Sequence, residues 1–321
     1  LDPEVAASLE LGLYQLSYMD GVPSSAAVNE SVNLIKKSRK KSAAGFVNGV
    51  LRSYIRGGCK VTLPAPKDKY RRAEVEYSIP AWILRYWERD YGFDMAVGLA
   101  KACMGRPPLN LRVNTQKTTA SKVAEMLKKD GVSVEEHPLI ENCLTIEHSG
   151  SISKLSGFSE GFFYVQAASS QLCAAALGAQ AGERVFDLCA APGSKSFTVA
   201  QLMENKGEIC SFDLYEHRVG LIDEGARRLA LSCIQARQGD ASQFDESLKA
   251  ADRVLCDVPC SGLGIIRRKP EIKYKERREV DELPKIQRAI LHNGARYVKR
   301  GGVLLYSTCS LNKDENEGGV E

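Results

Sequence analysis

Apolar residues recur at helical spacing through the first sixty positions of the chain. Val5, Leu9, Leu13 and Leu16 predict one helix, Val28, Val32 and Ile35 a second, and Phe46, Val50 and Tyr54 a third. Asp20-Gly21 breaks the first, Pro23-Ser24-Ser25 opens the second, and Gly57-Gly58 closes the third. Residues 61–79, with Pro64, Pro66 and many charges, predict a linker. Pro80 then opens a short helix rich in aromatics (Trp82, Tyr86, Trp87), and residues 94–103 predict another before Arg106-Pro107-Pro108 interrupts the chain.

The pattern next becomes mixed. Residues 109–113, 132–136, 144–146 and 162–165 are strand-like, 121–129 predict a helix, and 167–177 a second helix leading onward. From Glu183 strands and helices alternate: strands over 184–188, 208–212, 233–237, 253–257 and 303–306, helices over 195–203, 216–229 and 283–298. This is the signature of an α/β, doubly wound Rossmann-like domain, which binds ligands at the carboxyl ends of its strands. The expected organisation is a partial helical domain over 1–60, a linker with helices over 61–106, a small α+β subdomain over 107–160, and the α/β domain over 161–321. Leu1 and the unclosed terminal Glu-Gly-Gly-Val-Glu lead us to expect a fragment of a longer chain.

Composition narrows the class. With 44% hydrophobic and 26% charged residues the chain is expected to fold, and no run approaches the ~20 apolar residues that span a bilayer. Ten cysteines without a C-x-x-C pair read as thiols of a reducing compartment, and a cytoplasmic protein is expected. His137, His148, His217 and His292 stand apart from one another and from the cysteines, so no metal site is expected. The net charge of +4 is unevenly spread. Residues 31–72 hold twelve Lys/Arg against one Asp, including Lys36, Lys37, Lys40 and Lys41. Residues 265–278 hold seven Lys/Arg against two Glu, including Arg267, Arg268, Lys269 and Lys273. Two basic clusters on a nearly neutral chain point to a polyanion such as nucleic acid.

The candidate chemistry sits at the strand ends. Cys189-Ala190-Ala191-Pro192-Gly193-Ser194-Lys195 follows the first strand of the α/β domain and opens a helix, so its small residues and free N–H groups can approach a ligand. It is neither a dinucleotide fingerprint nor a Walker loop. Asp213 ends the second strand, about twenty residues on, where a carboxylate can accept both hydroxyls of a ribose. Asp240 follows the third strand and Asp257 ends the fourth. Three acids at successive strand ends beside a small-residue loop predict a nucleoside cofactor. Cys260 and Cys309 lie in polar loops just past the fourth and fifth strands, unlike Cys210 and Cys256, which sit in mid-strand as small core residues.

These segments, with the run Gly264–Lys273 and Ser307–Ser310 followed by Asn316, occur in the order and spacing of a known family. The chain resembles the S-adenosylmethionine-dependent RNA cytosine-C5 methyltransferases over residues 160–321, and its basic helical start resembles the NusB-like domain of the bacterial Sun/RsmB type, which modifies 16S ribosomal RNA. Ser194 stands where that family usually has glycine, and Val258 replaces a common alanine. The family's sheet normally gains two further strands beyond Cys309.

The resemblance implies S-adenosylmethionine as cofactor, held by Cys189–Lys195, Asp213, Asp240 and Asp257, and RNA as partner of a monomeric enzyme. It implies that Cys309 attacks C6 of cytosine, that Cys260 assists release, and that Asp257 meets the edge of the base. Lys195 is a candidate for the cationic setting that a thiol of ordinary pKa ~8.5 needs in order to react near neutrality. Arg267, Arg268, Lys269 and Lys273 would hold phosphates. A non-catalytic RNA-binding, antitermination-like factor is the alternative, opposed by the paired cysteines. An amino-group methyltransferase would need an N/D-P-P-Y/F turn where this chain has Asp257-Val258-Pro259-Cys260. A thiol–disulfide enzyme would need a C-x-x-C.

Overall fold

The computed structural model describes residues 1–61, 63–147 and 150–320; His148 therefore lies outside the described residues. The chain divides into two compact units, Leu1–Lys67 and Asp68–Glu321.

In the first unit, helices α1 (Pro3–Tyr18), α2 (Ser24–Lys37) and α3 (Ala44–Arg56) close on Val5, Leu9, Val28, Ile35, Val47 and Leu51. Asp2 caps α1 with a side-chain bond to the Glu4 N–H, and Pro3 occupies the first turn, where a missing N–H costs nothing. The expected stripe on α3 is turned by one residue. Val47 and Leu51 are fully buried, whereas Phe46 is 52% exposed. The helices approach closely here, since a Cβ on Gly12 would lie 2.7 Å from Leu51. That contact fixes which face of α3 points inward, and periodicity alone cannot read it.

The second unit opens with α4 (Lys69–Tyr77), α5 (Ala81–Tyr91) and α6 (Phe93–Ala102). Helix α4 corrects the expected linker. Asp68 caps it through the Arg71 N–H, and of its nine residues only Ala73 is buried, so charge masked the periodicity. Ile79, Ile83, Leu84, Trp87, Ala96 and Ala100 build a core beneath these helices, and Leu263, Ile266 and Ile272 from a distant loop complete it.

Strand β1 (Leu109–Val113), helix α7 (Ala120–Lys129) and strands β2 (Ser133–Glu136), β3 (Cys143–Glu147) and β4 (Phe163–Val165) follow. Their antiparallel sheet runs β2-β3-β1-β4. Asn114, fully buried, donates to the Gly161 and Leu229 carbonyls at 2.9 and 2.8 Å and ties this sheet to the next layer. Gly161 has φ +72°, and a Cβ there would lie 2.1 Å from the Arg228 carbonyl oxygen, so only glycine permits that approach.

The remainder is α8 (Ala168–Ala176), β5 (Arg184–Asp187), α9 (Ser194–Leu202), β6 (Glu208–Asp213), α10 (Glu216–Leu229), β7 (Ile234–Gln238), β8 (Ala251–Asp257), α11 (Arg277–Tyr297), β9 (Val298–Ser307) and α12 (Glu317–Val320). The sheet is wholly parallel, in the order β7-β6-β5-β8-β9, with the reversal on either side of β5 that makes a doubly wound fold. Central strands β5 and β8 bury Val185-Phe186 and Val254-Leu255-Cys256 because both faces of the sheet are covered. Helix α11 begins at Arg277, six residues before the expected start, and carries Pro284 inside it. The apolar pattern of its first turn is diluted by five charges among six residues, 277–282.

Candidate active site

Parallel strands place all their carboxyl ends on one edge, so the residues after β5, β6, β7, β8 and β9 meet there. The loop 188–193 leaves β5, is held by the Ala190 N–H on the Phe212 carbonyl at 2.8 Å, and turns at Gly193 into α9. Gly193 has φ +102°, and a Cβ would lie 2.5 Å from the Phe197 ring, so the turn needs glycine. Asp213 is buried, accepts from the Tyr215 N–H at 3.2 Å and pairs with Arg218 at 3.4 Å. Arg218 also donates to the Ala191 carbonyl at 3.0 Å, joining the loop to the acid. Asp240 is exposed and organises its own turn by accepting from the Ser242 N–H and hydroxyl. Beside it a cavity of about 210 Å³ is lined by Leu188, Phe212, Gly239, Ala241, Phe244 and Tyr297 among others.

Asp187 closes β5 beneath this loop. It is fully buried, its Oδ2 accepts from Ser196 at 2.6 Å, and among the described residues its Oδ1 has no hydrogen-bond partner. Burial pushes its carboxyl up to about 7, opposed by the Ser196 bond and reinforced by the Asp257 charge.

Next to it Lys195, from the first turn of α9, meets Asp257, from the end of β8, at 2.5 Å. Asp257 also accepts from Ser307 at 2.7 Å. Burial acts to lower the Lys195 ammonium, but the Asp257 carboxylate outweighs it and holds the group above its ordinary value.

The two loop cysteines meet at the carboxyl ends of the neighbouring strands β8 and β9. Cys260 Sγ lies 2.9 Å from Cys309 Sγ, and the Cys309 N–H points at Cys260 Sγ at 3.3 Å. Cys309 is exposed and Cys260 half-buried. The hydrogen bond from Cys260 is the largest influence that lowers Cys309. Burial and the Asp257 charge oppose it, and Lys195 assists. Cys260 moves the opposite way, raised first by the same contact and then by burial. The contact with Cys260, more than Lys195, therefore holds the Cys309 thiol below its ordinary value. Gly264 donates its N–H to the Cys309 carbonyl at 2.9 Å, and a Cβ there would lie 2.8 Å from that same oxygen.

The cysteines open onto a second cavity, of about 480 Å³, bounded by Lys269, Glu271, Tyr274, Lys275 and Glu279. Lys269 thus stands at the thiols, and Tyr274 is 83% exposed. Arg267 and Arg268 are anchored on the Arg106 and Pro108 carbonyls at 2.5 and 3.0 Å. Lys273 closes the short helical turn Pro270–Tyr274. Lys36 and Lys37 end α2 in the first unit, Lys40 pairs with Asp2 at 2.9 Å, and Lys41 starts the next helical turn.

Sequence reasoning missed Asp187, Arg218 and Ser307, which the fold brings to this edge. Asp187 carried the same signal as Asp213 and Asp257, an acid ending an apolar strand. The others had no signal, since each acts across a long stretch of chain.

Three families match the chain: 16S rRNA methyltransferase RsmB/F over residues 174–321, the NusB family over 1–56, and the Methyltr_RsmF/B-like ferredoxin-like domain over 79–153. Among curated proteins, the probable ribosomal RNA small subunit methyltransferase B of Bacillus subtilis (strain 168) is 40% identical over 318 residues, covering 98% of this chain and 71% of that one. The protein of that name from Synechocystis sp. (strain ATCC 27184 / PCC 6803 / Kazusa) is 36% identical over 323 residues, covering 99% and 72%. Among solved structures, that of PH0851 superposes with a TM-score of 0.86 at 29% identity, covering all of this chain and 72% of its own.

Proposed function

Because the chain belongs to the 16S rRNA methyltransferase RsmB/F family, we propose that its two-cysteine site methylates C5 of a cytosine in 16S ribosomal RNA through a Cys309–C6 adduct. That it is an S-adenosylmethionine-dependent RNA methyltransferase follows from the family. The observation that carries the finer reading is the 2.9 Å approach of two thiols at the strand edge, beside a Lys195–Asp257 pair.

The residues present fit the cofactor. A largely apolar cavity between Phe212 and Phe244 suits a flat base, Asp240 stands at its rim, Asp213 suits ribose hydroxyls, and Asp187 Oδ1 is a buried polar atom awaiting a partner. When bound, S-adenosylmethionine supplies an electrophilic methyl group. We read residues 161–321 as the domain that holds it and 107–160 as an RNA-binding subdomain.

C5 of cytosine is a poor nucleophile until a thiolate adds to C6. Cys309 is the exposed thiol and is held low by its partner, so it forms the S–C6 bond. The electron pair displaced toward N3 is met by a proton delivered across the Lys195–Asp257 pair, with Asp257 aligning the base edge. With the methyl group passed to C5 from the sulfonium sulfur that would carry it, the N3 proton would return to the Lys195–Asp257 pair. When the C5 proton leaves to water, the electron pair restores the C5–C6 double bond and expels the Cys309 sulfur. The Cys260 S–H receives that sulfur as a hydrogen-bonded thiolate. Cys260 thus serves release through the same bond that favours attack. The target base must leave its stack to reach these thiols. Lys269 and Lys273 offer phosphate contacts, while Arg267 and Arg268 do so with the donors their backbone anchors leave over.

Incubation of ribosomal RNA with methyl-labelled cofactor should place label in 5-methylcytosine at a discrete site. Label in another base or at an exocyclic amino group would refute this reading. Asp213→Ala should weaken S-adenosylmethionine binding by about 1.5–3 kcal/mol, the scale of hydrogen bonds to a charged group. Calorimetric titration showing unchanged affinity would remove Asp213 from the site.

A further inference from the structure

Glu315 is fully buried, yet it lies in a polar segment, 312–317, that follows the Cys309 loop. Its carboxylate accepts four hydrogen bonds: from the Ser261 N–H at 2.7 Å, the Ser261 hydroxyl at 2.5 Å, the Ser310 hydroxyl at 2.6 Å and the Gln287 amide at 3.0 Å. Among the described residues no lysine or arginine pairs with it. Gln287 donates also to the Pro259 carbonyl at 2.9 Å, and the Tyr306 hydroxyl holds the Glu315 carbonyl at 2.7 Å.

A buried carboxylate without a cation is costly and persists only when its oxygens are well supplied with donors. The identity of the donors is the informative point. Ser261 follows Cys260 and Ser310 follows Cys309, so one side chain collects the residue next to each thiol. The two serine hydroxyls also lie 2.8 Å apart, repeating one position along the contact that the sulfurs make. Two loops 49 positions apart in sequence are thereby held in one register.

We propose that Glu315 is a positioning residue that fixes Cys260 against Cys309 and so governs release of the methylated base from the enzyme. The proposal rests on the two-thiol reading above. Glutamine can occupy the same place: its oxygen accepts from the Ser261 N–H and Gln287, while its NH2 donates to the two hydroxyls. Alanine cannot.

The test uses the full chain and two readouts. The first needs no RNA. Diamide, a diazene oxidant, takes two electrons and two protons from the thiols and leaves a Cys260–Cys309 disulfide that peptide mapping identifies. Glu315→Ala should slow its formation roughly tenfold or more, and Glu315→Gln should stay within about threefold of the parent, because small misplacements of reacting atoms carry large rate penalties. The second is adduct yield on RNA with S-adenosylmethionine. Glu315→Ala should accumulate a denaturant-stable adduct, as expected for loss of Cys260, with cofactor affinity unchanged, and Glu315→Gln should turn over. Disulfide formation at the parental rate in Glu315→Ala overturns the proposal, as does normal turnover without adduct. Slowed disulfide formation combined with no adduct even in Cys260→Ala would refute the covalent mechanism while leaving the positioning role intact. If Glu315→Ala does not fold, Ser261→Ala combined with Ser310→Ala removes the two hydroxyl donors, and the same outcomes decide.

Discussion

Replacing Cys260 with alanine is expected to trap the protein on its RNA. On the proposed mechanism Cys309 can still attack C6 and the methyl group can still transfer, but the sulfur then lacks the hydrogen-bond donor that lets it leave. The product is a protein–RNA species stable to denaturant, formed in full yield only with S-adenosylmethionine. Cys309→Ala should give no adduct and lose activity by more than about 10³-fold, the scale for removal of a nucleophile. The double variant should give none either. Because the Cys260 thiol is the largest influence holding Cys309 low, adduct formation by Cys260→Ala should also need a higher pH than single-turnover attack by the parent. Denaturing electrophoresis with labelled RNA across a pH series reads all of this. An adduct in Cys309→Ala but not in Cys260→Ala would reverse the two roles, and no adduct in either would leave the thiols without covalent work.

Asp187→Asn should change how stability depends on pH. In the folded protein the Asp187 carboxyl titrates at about 7, against an ordinary value of 3.8. Between those values the native state keeps a proton that the unfolded chain has released, so the stability present below about pH 4 is lost as pH rises to about 7. Asparagine has no proton to lose and can still accept from Ser196. Relative to the parent, the variant should therefore gain about 2–4 kcal/mol between pH 4 and pH 8. Chemical denaturation at the two pH values checks it, and parallel pH profiles would mean that Asp187 is ionised in the fold at no cost.

The elements that carry the site could be read from the sequence because each ends an apolar run. Strands β5, β6 and β8 carry short apolar runs among polar residues, and Asp187, Asp213 and Asp257 close them on one edge. Cys260 and Cys309 were distinguishable from Cys256 by the polarity of their neighbours alone. What the sequence did not reveal is the distance between them, because loops 49 positions apart have no shared period. Glu315 was invisible for the same reason. An acid in a run of Asn, Lys and Asp looks like solvent-facing chain, and only the fold places it under two serines. Helix α4 failed on a different ground, since its stripe of Tyr70, Ala73 and Tyr77 is short and set among charges. On α3 the period was right and the phase wrong, because the contact with Gly12 selects the face.

The segment that follows Cys260 roots Leu263, Ile266 and Ile272 in the core of α5 and α6, and pins Arg267 and Arg268 to backbone carbonyls. The backbone of this electropositive strip and its two arginines are therefore held in place before any nucleic acid arrives. Binding it costs little conformational entropy, for a cognate RNA and an unrelated one alike. Such a strip attracts without discriminating. On the proposed mechanism, selection of one cytosine rests on the RNA contacts of residues 107–160 and on whether a nucleotide can be extruded into the thiol cavity, which the RNA's own stacking and pairing oppose.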